Sequence, residues 1–236
     1  MNAIILAAGR GTRMGYITHD KPKCLLKVDE KTILQHQIET LNECGIEGIT
    51  VVVGFKANMI EDFCKKHSWK INYVYNTDYA RSDNLYSLLL AREHFGDGFI
   101  CLNSDVIFRT RILEGLLRYD DGDITVVTAQ KRQYNEDDMK VKLNGMDNSI
   151  ETINKTMKLD DADAVFIGIS KFSKRGASNL VTNFNKKDEI KNTLLGLGYQ
   201  KLIDNDYIVH SFDIHNQRWT EIDFEDELMD ARKVKW

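Results

Sequence analysis

The sequence predicts an α/β fold, a parallel-rich sheet held between two layers of helices. Through the first half, short apolar runs of strand length alternate with segments whose apolar residues recur every three to four positions. The first apolar run ends in a glycine turn, Gly9-Arg10-Gly11, as a buried parallel strand feeding a helix does. The only proline in the 236 residues is Pro22, and no linker, repeat or low-complexity stretch breaks the chain, so one domain is expected.

The elements follow in order. Residues 3–7, Ala-Ile-Ile-Leu-Ala, form the first strand. Leu34, Ile38 and Leu41 fall at i, i+4 and i+7, predicting a helix over 32–41 that Gly45 stops. Residues 49–53 make a second strand closed by Gly54, and a helix through Met59, Ile60 and Phe63 leads to a third at 71–75. Residues 84–95 read as a helix capped by Ser82, Asp83 or Asn84. A fourth strand at 99–102 ends in Asn103-Ser104-Asp105, and an amphipathic helix through Ile112, Leu113, Leu116 and Leu117 precedes a strand at 124–129. Such alternation implies right-handed crossovers. The second half changes character, with strands at 140–143, 149–153 and 164–170, a helical stretch from about 173 to 197, strands at 207–214 and 219–223, and a closing helix at 225–233. Residues 130–220 are expected to form a small lid subdomain over the sheet, with 221–236 closing the fold.

Composition excludes several classes. Thirty-two Lys and Arg against 36 Asp and Glu leave a net charge of −4, which argues against a nucleic-acid or anionic-membrane binder. No apolar run approaches the roughly 18 residues of a membrane span. No basic segment precedes the first apolar run, so a signal peptide is not expected. Cys24, Cys44, Cys64 and Cys101 contain no CxxC pair and read as reduced, mostly buried thiols of a cytoplasmic protein. The six histidines show no HxxxH spacing, so zinc is not expected. Oligomeric state is not legible.

The most informative stretch is Leu6-Ala7-Ala8-Gly9-Arg10-Gly11-Thr12-Arg13-Met14-Gly15. Small residues after a first strand let backbone N–H groups approach an anion or a flat base. The stretch lacks the Gly-Lys-Ser/Thr ending of a Walker loop. Its glycines at 9, 11 and 15 also miss the spacing of the dinucleotide fingerprint. What remains is a glycine loop carrying its own arginine, with Lys21-Pro22-Lys23 soon after. On the residues alone this is either an anion site or an ordinary turn with solvated basic side chains.

Several spaced motifs, in order along nearly the whole chain, resemble the nucleotidyltransferases that activate sugar phosphates and related phosphate esters. They are Leu-Ala-Ala-Gly-x-Gly-Thr-Arg-Met from Leu6, Lys21-Pro22-Lys23-x-Leu25-Leu26-x-Val28, Ile33-Leu34-x-x-Gln37-Ile38, Leu102-Asn103-Ser104-Asp105, Ile153-Asn154-Lys155, Phe166-Ile167-Gly168-Ile169 and Trp219-Thr220-Glu221-Ile222-Asp223. Tyr75-Asn76-x-x-Tyr79 followed by Asn84-x-Tyr86-Ser87-Leu88 is similar to choline-phosphate cytidylyltransferases and their phosphonate- and inositol-phosphate-activating relatives. Hexose-1-phosphate thymidylyl- or uridylyltransferases usually carry a glycine-rich sequence at that point.

The resemblance implies a Rossmann-like three-layer sandwich of the nucleotide-diphospho-sugar transferase type, with a mixed, mostly parallel sheet. Residues 1–129 would be its nucleotide-binding half and 130–220 its acceptor and lid half. It implies transfer of CMP from CTP to a small phosphate- or phosphonate-bearing acceptor with release of pyrophosphate. The barrier to such a step is repulsion between polyanions, and positioned cations lower it. Arg13 and Lys23 are the expected triphosphate residues, and Lys155 the residue that reaches the acceptor's phosphate. Asp105 and Asp223 are the expected Mg²⁺ ligands, in keeping with that ion's preference for one or two carboxylates plus phosphate and water. Leu6, Ala7, Ala8, Gly9, Gly11, Thr12, Asn76, Ser82, Asn84 and Asp105 are expected around the nucleotide. Asn84 is either a base contact or a helix cap, Glu221 either an acceptor-side residue or a strand-face residue, and Lys142 and Arg218 either acceptor contacts or solvated surface. Where many members of the family have an aspartate two residues before the metal aspartate, this chain has Asn103. That departure also weighs against a glycosyltransferase, which ordinarily uses an Asp-x-Asp pair. A silent binding module would be expected to have lost one of Arg13, Lys23, Asp105 and Asp223, and a nicotinamide oxidoreductase is disfavoured by the glycine spacing.

Overall fold

In the computed structural model, which describes residues 1–130, 134–184 and 190–236, strand β1 (Asn2–Ala7) is the spine of a nine-stranded sheet. Its neighbours are β4 (Ile49–Val53) on one side and β6 (Gly98–Asn103) on the other, both parallel to it, with β5 (Ile71–Tyr75) parallel beyond β4. The register sets Ala7 against Val53 and Leu6 against Asn103, so these strands end together and form one carboxyl edge. Before β4 come a small hairpin, β2 (Lys27–Val28) and β3 (Lys31–Thr32), and helix α1 (Ile33–Glu43). The Thr32 hydroxyl starts α1 by accepting from the Gln35 N–H at 3.1 Å. Helix α2 (Ala57–Lys66) joins β4 to β5, and α3 (Asn84–Leu90) joins β5 to β6. After β6 come β7 (Val106–Phe108), α4 (Thr110–Arg118) and β8 (Ile124–Ala129).

Both faces of β1 are buried, and alternation sorts its side chains. Ile4 and Leu6 join one core with residues of α3, while Ala3, Ile5 and Ala7 join the other with residues of α1, α2 and α4. This is the three-layer arrangement the apolar runs predict, and the sheet is mixed and mostly parallel. Only β11 (Ala164–Ser173) and β10 (Ile150–Asn154) run against the others, which include β9 (Lys140–Leu143) and β12 (His210–Asp213). β11 lies between β6 and β8, bends between Phe166 and Ser170, and holds Gly168 there at φ +79°. Of residues 130–220, β9, β10, β11 and β12 therefore belong to the main sheet. The pieces that overhang its carboxyl edge are the segment before β9, the turn after β10, and the start of helix α6 (Leu195–Ile203).

The helix expected over 173–197 is not continuous. β11 runs on to Ser173, whose hydroxyl accepts from the Gly176 N–H at 3.0 Å to start α5 (Lys174–Asn183). α5 stops where Phe184 turns into the core. Residues 185–189 of the expected helix lie outside the described residues. α6 contains Gly196 and Gly198, where an added Cβ would come within 2.6 Å of Met139 and 3.0 Å of Leu85, so close packing explains glycine in a helix interior. The helix expected to reach residue 95 ends at Leu90 and gives way to a tighter turn at Arg92–His94. Strand β13 (Trp219–Glu221) pairs antiparallel with β7, and helix α7 (Glu225–Ala231) closes the chain. Among the described residues no helix is long and apolar enough to cross a membrane.

Candidate active site

A cleft of about 380 Å³ opens at the carboxyl edge of β1 and β6, where α/β sheets bind ligands. Every site residue expected from the sequence lines it except Lys142 and Arg218. The ammonium of Lys142 instead lies 3.1 Å from Asp163, which also accepts the Leu143 N–H and so fastens β9 to the start of β11. Arg218 is likewise outside the cleft lining; its carbonyl accepts from the Arg109 N–H.

The floor is the end of β1, Leu6 to Ala8, continued by Gly9 and Gly11. The Ala8 carbonyl accepts from the Phe55 N–H at 3.0 Å, which ties the loop to the end of β4. Gly11 sits at φ +65°, and a Cβ there would meet the Lys23 side chain at 3.0 Å. Glycine thus serves twice, accepting the left-handed backbone and letting the lysine stem pass.

Beyond that stem the Lys23 ammonium donates to Asp105 Oδ2 and Asp223 Oδ1, each at 2.7 Å. The Arg13 guanidinium donates to Asp223 Oδ2 at 2.5 Å. Burial alone would lower the pKa of Lys23, but the two carboxylates outweigh it and hold the ammonium's pKa above the ordinary lysine value. Burial likewise favours a neutral Asp223, yet Lys23, with Arg13 and Lys155 behind it, keeps that carboxyl below its usual range. The neighbouring Cys24 thiol is pushed up to about 12 by burial, so it offers no thiolate nucleophile.

Strand pairing brings the second aspartate in. β13 lies on β7 with Glu221 opposite Val106, and the Ile222 N–H donates to the Asp105 carbonyl at 3.0 Å. Glu227 then accepts from the N–H groups of Asp223 and Phe224 at 2.6 and 3.0 Å. As a result Asp105, Glu221 and Asp223 each offer an oxygen within 4.8 Å of the others. Asp105 Oδ1 is buried with no hydrogen-bond partner among the described residues. Hard carboxylate donors with one buried lone-pair oxygen unmatched are the kind of set that suits Mg²⁺.

The far wall is built by α3 and the turn before it. Asn76 is buried, its Nδ2 donating to Ser82 Oγ at 3.0 Å and Ser87 Oγ at 2.9 Å while its Oδ1 accepts from the Asp78 N–H. It therefore sets the hydroxyls in place. Asn84 does not cap its own helix. Its Oδ1 accepts from the Leu195 N–H at 2.6 Å, satisfying a free donor at the start of α6. This is a capping bond made across the fold. Lys155 also lines the cleft, within electrostatic reach of Asp223 and of Asp83, whose carboxyl is raised by burial and lowered in part by that lysine. Sequence reasoning missed Asp83, Asp137, Met139, Ser87 and Leu194 to Gly196 as cleft residues. Asp83 and Ser87 come in with α3, the latter from a motif read for its neighbours; Asp137, Met139 and residues 194–196 sit in segments without a motif, and only the β9 approach and the folding of α6 bring them to the sheet edge.

Comparison with known proteins agrees with this geometry. The profile of the MobA-like NTP transferase domain matches residues 3–167. A choline-phosphate cytidylyltransferase of Streptococcus pneumoniae is 35% identical over 50% of this chain and 51% of its own length. A CTP:phosphoglutamine cytidylyltransferase of Campylobacter jejuni is 27% identical over 97% of this chain and 98% of its own. The chain thus spans about half the length of the first of these relatives and nearly all of the second. The fold superposes on an inositol-1-phosphate CTP transferase from T. maritima with a TM-score of 0.83 over 98% of this chain and 96% of that one, at 24% identity.

Proposed function

We propose, from the premise that this chain belongs to the MobA-like NTP transferase domain family, that it transfers CMP from CTP to a small phosphate- or phosphonate-bearing acceptor and releases pyrophosphate. The observation that carries this reading is the charge cluster beside the glycine loop. Lys23 and Arg13 interlock there with Asp105 and Asp223, in a chain similar to cytidylyltransferases.

In this reading an acceptor oxygen forms a bond to the α-phosphorus of CTP while the bond from that phosphorus to the bridging oxygen of the β-phosphate breaks, and the electron pair leaves with pyrophosphate. A phosphomonoester's second pKa is about 6, so the nucleophile is already largely dianionic near neutral pH and needs no general base. The backbone from Ala8 to Thr12 cradles the triphosphate. Arg13 and Lys23 neutralise it, and Lys155 draws the acceptor's phosphate into the cleft. The fixed cations replace water around the polyanions and need no reorganisation as charge shifts. Mg²⁺, for which Asp105, Asp223 and Glu221 are the fitting donors, supplies charge neutralisation at the phosphates when bound. Ser82 and Ser87, held by Asn76, are the side-chain groups facing the base. Four free cysteines, three of them buried, fit the reducing interior of a cell and support a cytoplasmic site of action.

The test is initial-rate pyrophosphate release with CTP, UTP, dTTP and ATP, each crossed with choline phosphate, aminoalkylphosphonate, inositol phosphate and hexose 1-phosphates. A pocket that pairs the cytosine amino group leaves its own acceptor unmatched against uracil, at about 1–3 kcal/mol. CTP should therefore exceed UTP and dTTP by at least about tenfold in kcat/KM. Equal rates with CTP and dTTP overturn the cytidine assignment and leave a nucleotidyltransferase of the hexose-1-phosphate kind.

A further inference from the structure

The Ile-Leu-x-x-Gln-Ile motif of α1 takes no part in the chemistry above, yet it reaches the site. Gln37 is 1% exposed, and its Nε2 donates to the carbonyls of Asn103 at 2.7 Å and Val106 at 2.8 Å. Those two carbonyls bracket Ser104 and Asp105, the turn between β6 and β7. The β1–β6 register ends at Asn103, so this turn lies beyond the ladder that orders the sheet. Both N–H groups of one buried amide therefore clasp the two ends of the turn that presents Asp105. The other half of the amide is left unmatched, for Gln37 Oε1 is buried with no hydrogen-bond partner among the described residues. An unmatched buried acceptor is destabilising, and a methionine or leucine of similar volume would avoid it. Glutamine at this place is thus explained by what its two donors hold.

We infer that Gln37 is a positioning residue for the carboxylate cluster. It fixes the turn that carries Asp105. Through the Ile222 N–H bonded to the Asp105 carbonyl at 3.0 Å, the same turn sets where Glu221 and Asp223 lie. This inference rests on the reading that Asp105, Glu221 and Asp223 bind a divalent cation. It differs from a packing role in what it predicts. Without Gln37 the core stays filled, but the carboxylates lose the spacing that a metal ion requires.

The experiment uses the full chain with Gln37→Met, which keeps the side chain's length and loses both donors. Binding of Mn²⁺ without nucleotide is followed by the electron paramagnetic resonance signal of the free ion. Groups that orient metal ligands typically contribute about 10- to 100-fold in metal affinity, and Gln37→Met should weaken Mn²⁺ binding by that range. Its circular dichroism should stay native and its KM for CTP should change by less than about twofold, while kcat falls and recovers in part at higher Mg²⁺. Gln37→Glu, of equal length but without either N–H donor, should weaken Mn²⁺ binding in the same direction. Mn²⁺ affinity unchanged in a folded Gln37→Met chain overturns the inference while leaving the metal reading intact. Loss of the fold in both variants overturns it too, since Gln37 would then serve stability. If the unaltered chain binds no Mn²⁺, or Asp105→Asn binds it as well as the unaltered chain does, the metal reading itself falls.

Discussion

Replacing Lys23 with methionine removes an ammonium that touches both aspartates, and the structure lets the consequence be worked out. Each contact is 2.7 Å, with side-chain exposures of 11% for Lys23, 18% for Asp105 and 14% for Asp223. At an effective dielectric of about 20, Coulomb attraction is gross about 6 kcal/mol per contact, most of which desolvation cancels. Removing one partner of a buried pair costs about 3–5 kcal/mol because a charge is left uncompensated. Here Asp223 keeps Arg13 at 2.5 Å, so the loss falls mainly on Asp105 and the lower end applies, about 3 kcal/mol. For a chain of this size that lowers Tm by about 6–12 °C.

The pH dependence of that deficit has a definite sign. Asp223 is held below its unfolded value, so its contribution is fully present above about pH 3.9 and is lost as pH falls through the lower folded value. The ammonium of Lys23 is held above its unfolded value, so its contribution is present below about pH 10.4 and lost at still higher pH. The deficit of Lys23→Met should therefore be full near neutrality and shrink below about pH 4, as Asp223 takes up a proton. Mg²⁺ should stabilise the variant more than the parent, since a bound cation replaces the missing charge; saturation at about 100 times Kd is worth about 2.7 kcal/mol. Urea denaturation across pH, with and without MgCl₂, measures all of this. A neutral-pH deficit below about 1 kcal/mol, or one that grows on acidification, refutes the reasoning.

Three further outcomes are expected. Asp105→Asn and Asp223→Asn should each lower kcat by about 100-fold or more with folding intact, and turnover in EDTA equal to that in Mg²⁺ would contradict the metal role. Lys155→Ala should raise the acceptor KM far more than the CTP KM, whereas Arg13→Ala should impair transfer itself; steady-state kinetics with each substrate varied separates the two, and a Lys155 effect confined to the CTP KM would remove its assignment. Asn84→Ala leaves the Leu195 N–H without its 2.6 Å partner, so it should cost about 1–3 kcal/mol in chemical denaturation and loosen α6 against α3; faster hydrogen exchange at Leu195 is the check.

The sequence determined by itself whatever rests on neighbours along the chain. Alternating runs such as 3–7 and 49–53 and the spacing of Leu34, Ile38 and Leu41 specify strands and helices, because period and turn residues act over a few positions. The glycine loop after the first strand marks where an anion would sit, because backbone freedom is also local. Tertiary structure alone decided the charge cluster. Lys23 meets Asp105 from 82 residues away and Asp223 from 200, contacts that exist only once β6, β7 and β13 have ordered the sheet edge. The same holds for the break near Phe184, where the core claims a side chain that helical spacing would have left in line. Lys142 turned to Asp163 and not to the cleft, and Asn84 capped α6 and not its own helix, because each side chain bonds what the packed layers set beside it. Periodicity tells which face of an element is apolar. It carries no information about which distant polar group that face will bring within 3 Å, and hydrogen bonds and ion pairs are settled at that range.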